Sequence, residues 1–210
     1  MSVTDINLPS MSVTVNTTMV PVGRWQPDSN GRLQEAALAL FAERGFEQTT
    51  AAEIAARAGV TERTFFRHFA DKREVLFRGS SVLAERIVGA VVAAPQECGA
   101  LEAVAAGLDA AAAMLGDFRR DLTRQRQAVI QANAELRERE RGKLADYATA
   151  VAEALRARGV GEPHATLAAE AGMTVLRVAL HRWATAEDEA SLRVVMAESV
   201  AELRAVVTDT

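Results

Sequence analysis

Residues 32–77 read RLQEAALALFAERGFEQTTAAEIAARAGVTERTFFRHFADKREVLF, and their reading decides the fold. Leu33, Ala36, Ala37, Leu40 and Phe41 recur at helical spacing, which predicts an amphipathic helix over 32–44. Asn30 suits its N-cap, and Gly45 suits the left-handed position just past its end. Thr50 and Glu53 have the spacing of a capping box, which opens a second helix over 51–58 with Ile54 and Ala55 inward. Gly59 stops that helix and Val60 fills the corner. Thr61 caps a third helix over 62–69. Asp71 with Glu74 repeats the capping-box spacing and predicts a longer fourth helix over 72–94. Two short helices around a tight glycine turn make a helix-turn-helix, whose second helix suits a DNA major groove.

The third helix carries the chemistry. Phe65 and Phe69 are four apart and pack inward. Thr61, Glu62, Arg63, Thr64, Phe66, Arg67 and His68 occupy the other faces. Arginine matches guanine O6 and N7 in bidentate fashion. Thr50, Thr61, Thr64 and His68 suit phosphate oxygens, as do the amides of a helix N-terminus. Lys72 suits a phosphate as a point charge. Arg63 has two readings, a base contact or a pairing with Glu62 or phosphate. Arg67 is open in the same way. Glu62 either accepts from a cytosine amine or sits solvated in the first turn, where the helix dipole favours an acid.

This segment resembles the DNA-binding domain of the TetR family, the tetracycline-repressor-like bacterial regulators. The matching residues are Leu33, Ala36, Ala37, Leu40, Phe41, Gly45, Phe46, Thr49, Thr50, Ile54, Ala55, Ala58, Gly59, Val60, Thr64, His68, Phe69, Lys72 and Leu76. The resemblance covers about a quarter of the chain. It implies an all-α homodimer with a variable C-terminal ligand domain. It also implies repression of a palindromic operator that a small molecule relieves. Phe66 departs from the family pattern, which commonly has a Tyr there; without a hydroxyl that phosphate contact is lost. Arg63 stands where a small residue is common.

Composition frames the rest. Hydrophobic residues make up 49% of the 210, enough for a core. The formal charge is −4, which taken alone is adverse to DNA. Residues 24–78 carry nine Lys or Arg against eight Asp or Glu, a local +1. Affinity must then come from a few placed cations and from two copies of the unit, not from a broad basic field. A lone Cys98 excludes an internal disulfide framework and suits a reducing cytoplasm. No apolar run reaches the ~20 residues of a membrane span. His68, His164 and His181 are far apart and no HExxH-like spacing occurs, so neither a metal, a cofactor nor an enzyme activity is expected. Residues 1–28 read as a flexible tail, with Arg24 as an alternative minor-groove arm and Met11 or Met19 as alternative starts.

Beyond residue 78 the pattern is helical throughout, giving about nine helices in all. The domains expected are the helix-turn-helix unit over 29–78 and a ligand-binding and dimerisation domain over 79–210. The remaining helices are expected over 100–115, 117–132, 135–158, 163–186 and 188–207, with Asp188 capping the last. The charge run ELRERERGKL at 135–144 reads as a solvated face without a function. Leu176, Leu180, Trp183, Leu192, Val195, Met196, Ser199, Val200 and Leu203 line the last two helices and are read as a dimer interface, a four-helix bundle between two copies. The alternative is that both helices close the protomer core.

The resemblance places a ligand pocket in the C-terminal half, for an unknown and partly apolar effector. Met114, Phe118, Leu122, Val129, Tyr147 and Met173 are its candidate lining. Glu170, Thr174, Arg177 and His181 form one polar stripe on the eighth helix. Pointing inward, Arg177 and His181 would orient a polar group; pointing outward, they form a solvent strip. A cavity of several hundred Å³ favours a ligand-responsive repressor. A filled core favours a ligand-independent regulator or activator on the same fold.

Overall fold

The structure, a computed structural model, describes residues 29–116, 119–187 and 189–208. Among these the fold is all-α. Helix α1 spans Ser29–Arg44, α2 Ala51–Arg57, α3 Glu62–His68, α4 Ser80–Ala93 and α5 Ala100–Gly116. Then follow α6 at Arg120–Ala132, α7 at Ala134–Ala157, α8 at His164–Thr185 and α9 at Leu192–Thr208. The tail of residues 1–28, with Arg24, lies outside the described residues, as do Asp117, Phe118 and Asp188.

The caps explain the first three helices. The Thr50 hydroxyl accepts from the Glu53 amide at 3.2 Å, and the Glu53 carboxylate accepts from the Thr50 amide at 2.9 Å. Both halves of the capping box are therefore made. At the end of α2 the Gly59 amide donates to Ala56 and the Val60 amide to Ala55, which closes the helix and starts the turn. The Thr61 hydroxyl then accepts from the Thr64 amide at 3.1 Å and opens α3. Asn30, expected as the cap of α1, instead lies inside its first turn, because the helix begins at Ser29.

The single fourth helix expected over 72–94 is two elements. Glu74–Phe77 forms one turn of 3-10 helix, and α4 starts only at Ser80. Val75, Leu76 and Phe77 are consecutive and all buried, which one α-helical face cannot achieve. Gly79 then takes φ 77°, a left-handed conformation that suits glycine and redirects the chain. Asp71 does cap this turn, accepting from the amides of Arg73 at 2.7 Å and Glu74 at 3.1 Å. The Glu74 carboxylate does not close a capping box; it pairs with Arg139 on α7.

Two apolar cores result. The larger joins α4, α5, α7, α8 and α9. The smaller joins α1–α3 and the 3-10 turn, and it includes Ile130 of α6 and Leu136 of α7, both fully buried. Leu38, on the side of α1 opposite the predicted stripe, is buried in the same cluster. The corner between α6 and α7 is capped by Asn133, whose side chain accepts from the Glu135 and Leu136 amides.

The expected dimer residues are mostly interior. Leu176, Trp183, Leu192, Val195, Met196, Ser199 and Val200 are all buried within one protomer. Helix α9 lies against both α5 and α8, so its apolar face is already used. Leu203 is half-buried against the same core, and Leu180 also borders a cavity. The polar stripe of Glu170, Thr174, Arg177 and His181 is exposed, so it is the outward strip. Helix α9 opens at Leu192, where the Ser191 hydroxyl accepts from the Val194 amide at 3.4 Å.

Close helix crossings depend on missing side chains. A Cβ at Gly172 of α8 would lie 2.4 Å from Cγ1 of Val104 on α5. A Cβ at Gly107 of α5 would lie 2.9 Å from Val91 and 3.0 Å from the Ile87 carbonyl of α4. Gly172→Ala is expected to destabilise the protein by about 1–3 kcal/mol through overpacking. Gly142→Ala, on an exposed part of α7 with open space around it, is expected to stabilise by about 0.5–1 kcal/mol. Urea unfolding checks both; equal stability of the two variants would contradict the packing account.

Candidate nucleic-acid interface and ligand chamber

Helix α3 separates its residues by side. Phe65 and Phe69 are buried, their rings 5.5 Å apart, and fix the helix to the smaller core. Thr61, Glu62, Arg63, Phe66 and Arg67 are exposed, while Thr64 and His68 are half-buried. Phe66 is 52% exposed for so large an apolar ring and stands edge-on to Phe65. The side chains named for groove contact therefore share one helix and, for the most part, one accessible surface. Two of them also have internal work. The Thr61 hydroxyl caps α3, and Nε2 of His68 lies 3.3 Å from the Ser29 hydroxyl at the start of α1.

Ion pairs brace α2 against α1. Arg57 makes two hydrogen bonds of 2.6 Å to Glu43, and Arg44 reaches Glu53 at 2.9 Å. The Arg57 hydrogen bonds hold the Glu43 carboxyl below its usual range. The Thr50 amide and hydroxyl, with Arg44, do the same for Glu53. These groups are solvent-exposed, so they contribute little energy; their geometry sets the orientation of the two helices. Thr50, expected at phosphate, is exposed at the N-terminus of α2.

Lys72, expected at a phosphate, has contacts of its own within the protein. Its ammonium donates to the carbonyls of Phe46 at 2.8 Å, Thr49 at 3.0 Å and Glu47 at 3.2 Å. It also sits 4.4 Å from the centre of the Phe46 ring. An ammonium has three donors, and all are committed. Lys72 thus ties the 3-10 segment to the loop between α1 and α2.

The charge run of α7 is not a free solvated face. Glu135 pairs with Arg73, Arg139 with Glu74, and Glu140 with Arg126 at 3.3 Å. Glu47 accepts from the Asn133 amide group at 2.9 Å. Part of the run therefore faces the helix-turn-helix unit, while Glu138 and Arg141 pair with each other in solvent. Alternating charge in one sequence looks alike whether it meets water or a partner surface, which is why periodicity missed this.

Where the two halves meet there is a cavity of about 150 Å³. Met114, Leu122 and Tyr147 line it, as expected, together with Leu176 and Leu180, which were assigned to the dimer. Met173 is core, and Thr174, Arg177 and His181 point away from it. Val129 packs against the smaller core instead. The volume is below the several hundred Å³ expected. Sequence reasoning missed the polar part of the wall, above all Arg126. The Arg126 Nε donates to the Leu76 carbonyl at 2.6 Å, and its guanidinium lies 5.3 Å from the Phe77 ring. Burial pushes its pKa down, opposed by the Glu140 charge. Burial likewise pushes the Tyr147 phenol up, opposed by hydrogen bonding with Ser80.

A capped helix-turn-helix is clasped to an α-helical body, with a chamber at the junction. Residues 33–78 match the model of the bacterial regulatory proteins of the tetR family. That match spans the helix-turn-helix unit and the 3-10 turn. The HTH-type transcriptional regulator TcmR of Streptomyces glaucescens is 36% identical over 124 residues, 55% of this chain and 50% of that protein. The chain thus spans about half the length of that curated relative. SmeT, the repressor of the Stenotrophomonas maltophilia multidrug efflux pump SmeDEF, superposes with a TM-score of 0.55 at 22% identity, over 86% of this chain and 90% of that one. Thermus thermophilus FadR in complex with lauroyl-CoA gives a TM-score of 0.50 at 24% identity, over 83% and 93%. At such identities these two likenesses establish the fold alone.

Lys72→Ala is expected to lower stability by about 1–2 kcal/mol, because three carbonyls lose a charge-assisted donor. Thermal unfolding without DNA reads this directly, and an unchanged midpoint would return Lys72 to the role of a phosphate contact.

Proposed function

We propose that the chain is a dimeric DNA-binding transcriptional regulator, a repressor of a palindromic operator that is released when a small, partly apolar molecule enters the junction chamber. The observation that carries this reading is the exposed row of α3, held on a helix whose other side is locked by Phe65 and Phe69. Arg63 and Arg67 are the candidate base readers, since a guanidinium matches guanine bidentately. Thr50, Thr61, Thr64 and His68 are placed for phosphates. Glu62 accepts from a base amine or remains solvated. Phe66 offers an apolar surface to a thymine methyl and no hydroxyl to a phosphate.

The chamber is smaller than the several hundred Å³ that would by itself favour a ligand-responsive regulator; what supports that version is its position, touching the 3-10 turn and Gly79 as well as α5–α8. A complex of SmeT with triclosan and the FadR complex with lauroyl-CoA show such ligands in proteins of similar fold. The dimer is proposed on the outer sides of α8 and α9, since the inner sides close the core. Val178 and Val194 are exposed there, and Ala197 and Ala201 continue the α9 surface. A two-fold pair of units matches two half-sites. Among the described residues no helix is long and apolar enough to cross a membrane, in keeping with a protein of the cytoplasm.

Selection of bound duplexes from a random library should return a palindrome. On that DNA, Arg63→Ala and Arg67→Ala are each expected to weaken binding by about 1–3 kcal/mol in gel-shift titration while dimerisation persists. Unchanged affinity in both variants would remove α3 from the groove. Val178→Asp with Val194→Asp should give monomers in sedimentation velocity and lose operator binding with the fold intact; a persisting dimer would place the interface elsewhere.

A further inference from the structure

The chamber wall is electrically lopsided. Arg126 and Lys143 line it, and among the described residues Glu140 is the one carboxylate of the wall. Arg126 is the better placed of the two cations. Its Nε is held by Leu76, but its contact with Glu140 is long at 3.3 Å and uses one nitrogen. A guanidinium has five donors in a planar fork. Leu83, Met114 and Leu122 add apolar lining. An apolar cavity of about 150 Å³ accommodates a single benzene ring.

We infer that this chamber takes an organic acid, its carboxylate seated against Arg126 and Lys143 and its ring or short chain against the apolar lining. The inference rests on the reading of the chamber as the effector site. A cationic ligand would face an excess of positive charge. A neutral one would leave donors of a desolvated guanidinium without an acceptor, which is costly in a low-dielectric wall. A carboxylate satisfies the fork in bidentate geometry and brings the missing negative charge.

The test uses the full chain and benzoate, with benzamide and benzyl alcohol as neutral probes of the same size. Benzoate is expected to raise the melting temperature and to bind in calorimetry, with the neutral probes at least tenfold weaker. Lys143→Gln, which leaves the Arg126–Glu140 pair untouched, should weaken benzoate about tenfold, the order of one lost charge-assisted hydrogen bond. The double variant Arg126→Gln with Glu140→Gln, which leaves no unpaired buried charge, should abolish the preference for the acid. Neutral probes binding as tightly as benzoate would overturn the acid class and leave the chamber standing as a ligand site. No response to any probe would overturn both. Benzoate binding that survives unchanged in both variants would place the acid outside the chamber.

Discussion

Arg126 is a charge that the fold must satisfy from several directions at once. Its guanidinium is withdrawn from water at the point where the helix-turn-helix unit meets the body. Leu76, Glu140 and the Phe77 ring replace part of what solvent would supply. Leu76 and Phe77 belong to the 3-10 turn, and Glu140 belongs to α7. Placing one side chain therefore sets three elements relative to each other. Losing one partner of this half-buried pair costs more than losing one of an exposed pair. The exposed pairs nearby, Arg73 with Glu135 among them, are worth about 0–1 kcal/mol each. Ile130 and Leu136 contribute about 1.5–3 kcal/mol each by burial. Apolar burial and one desolvated charge thus hold the junction, and the surface ion pairs select its register.

Local chemistry was legible in the sequence, and long-range chemistry was not. Thr50 with Glu53, Gly59 and Thr61 specify caps through bonds that span three to five residues, so one chain suffices to read them. The inward Phe65 and Phe69 follow from helical spacing alone. The misreadings all concern what lies across from a face. The stripe of α9 is apolar whether it meets α5 or a second protomer. The charges of 135–144 look the same toward water and toward Arg73 and Glu74. Lys72 reads as a phosphate contact until the Phe46, Glu47 and Thr49 carbonyls are seen around it. The break at Gly79 was hidden by good apolar spacing on both sides.

The chamber illustrates the same limit. Its apolar members Met114, Leu122 and Tyr147 could be named from type and position. Its charged members could not, because a buried Arg and an exposed Arg have the same letter. The helix with the most suggestive polar stripe, α8, turns that stripe outward. The charge run of α7, which looked merely solvated, supplies the polar wall together with α6.

The α6–α7 corner has a consequence for how the chain is made. Synthesis delivers residues 29–77 well before Ile130 and Leu136, and domains otherwise tend to fold as they emerge. The first three helices are therefore born with a hole in their core, and they wait for about sixty more residues to leave the ribosome before it is filled. A contact of such sequence separation also adds loop-closure cost and slows folding. The nascent helix-turn-helix unit stays incomplete until enough of the body has been synthesised to clasp it.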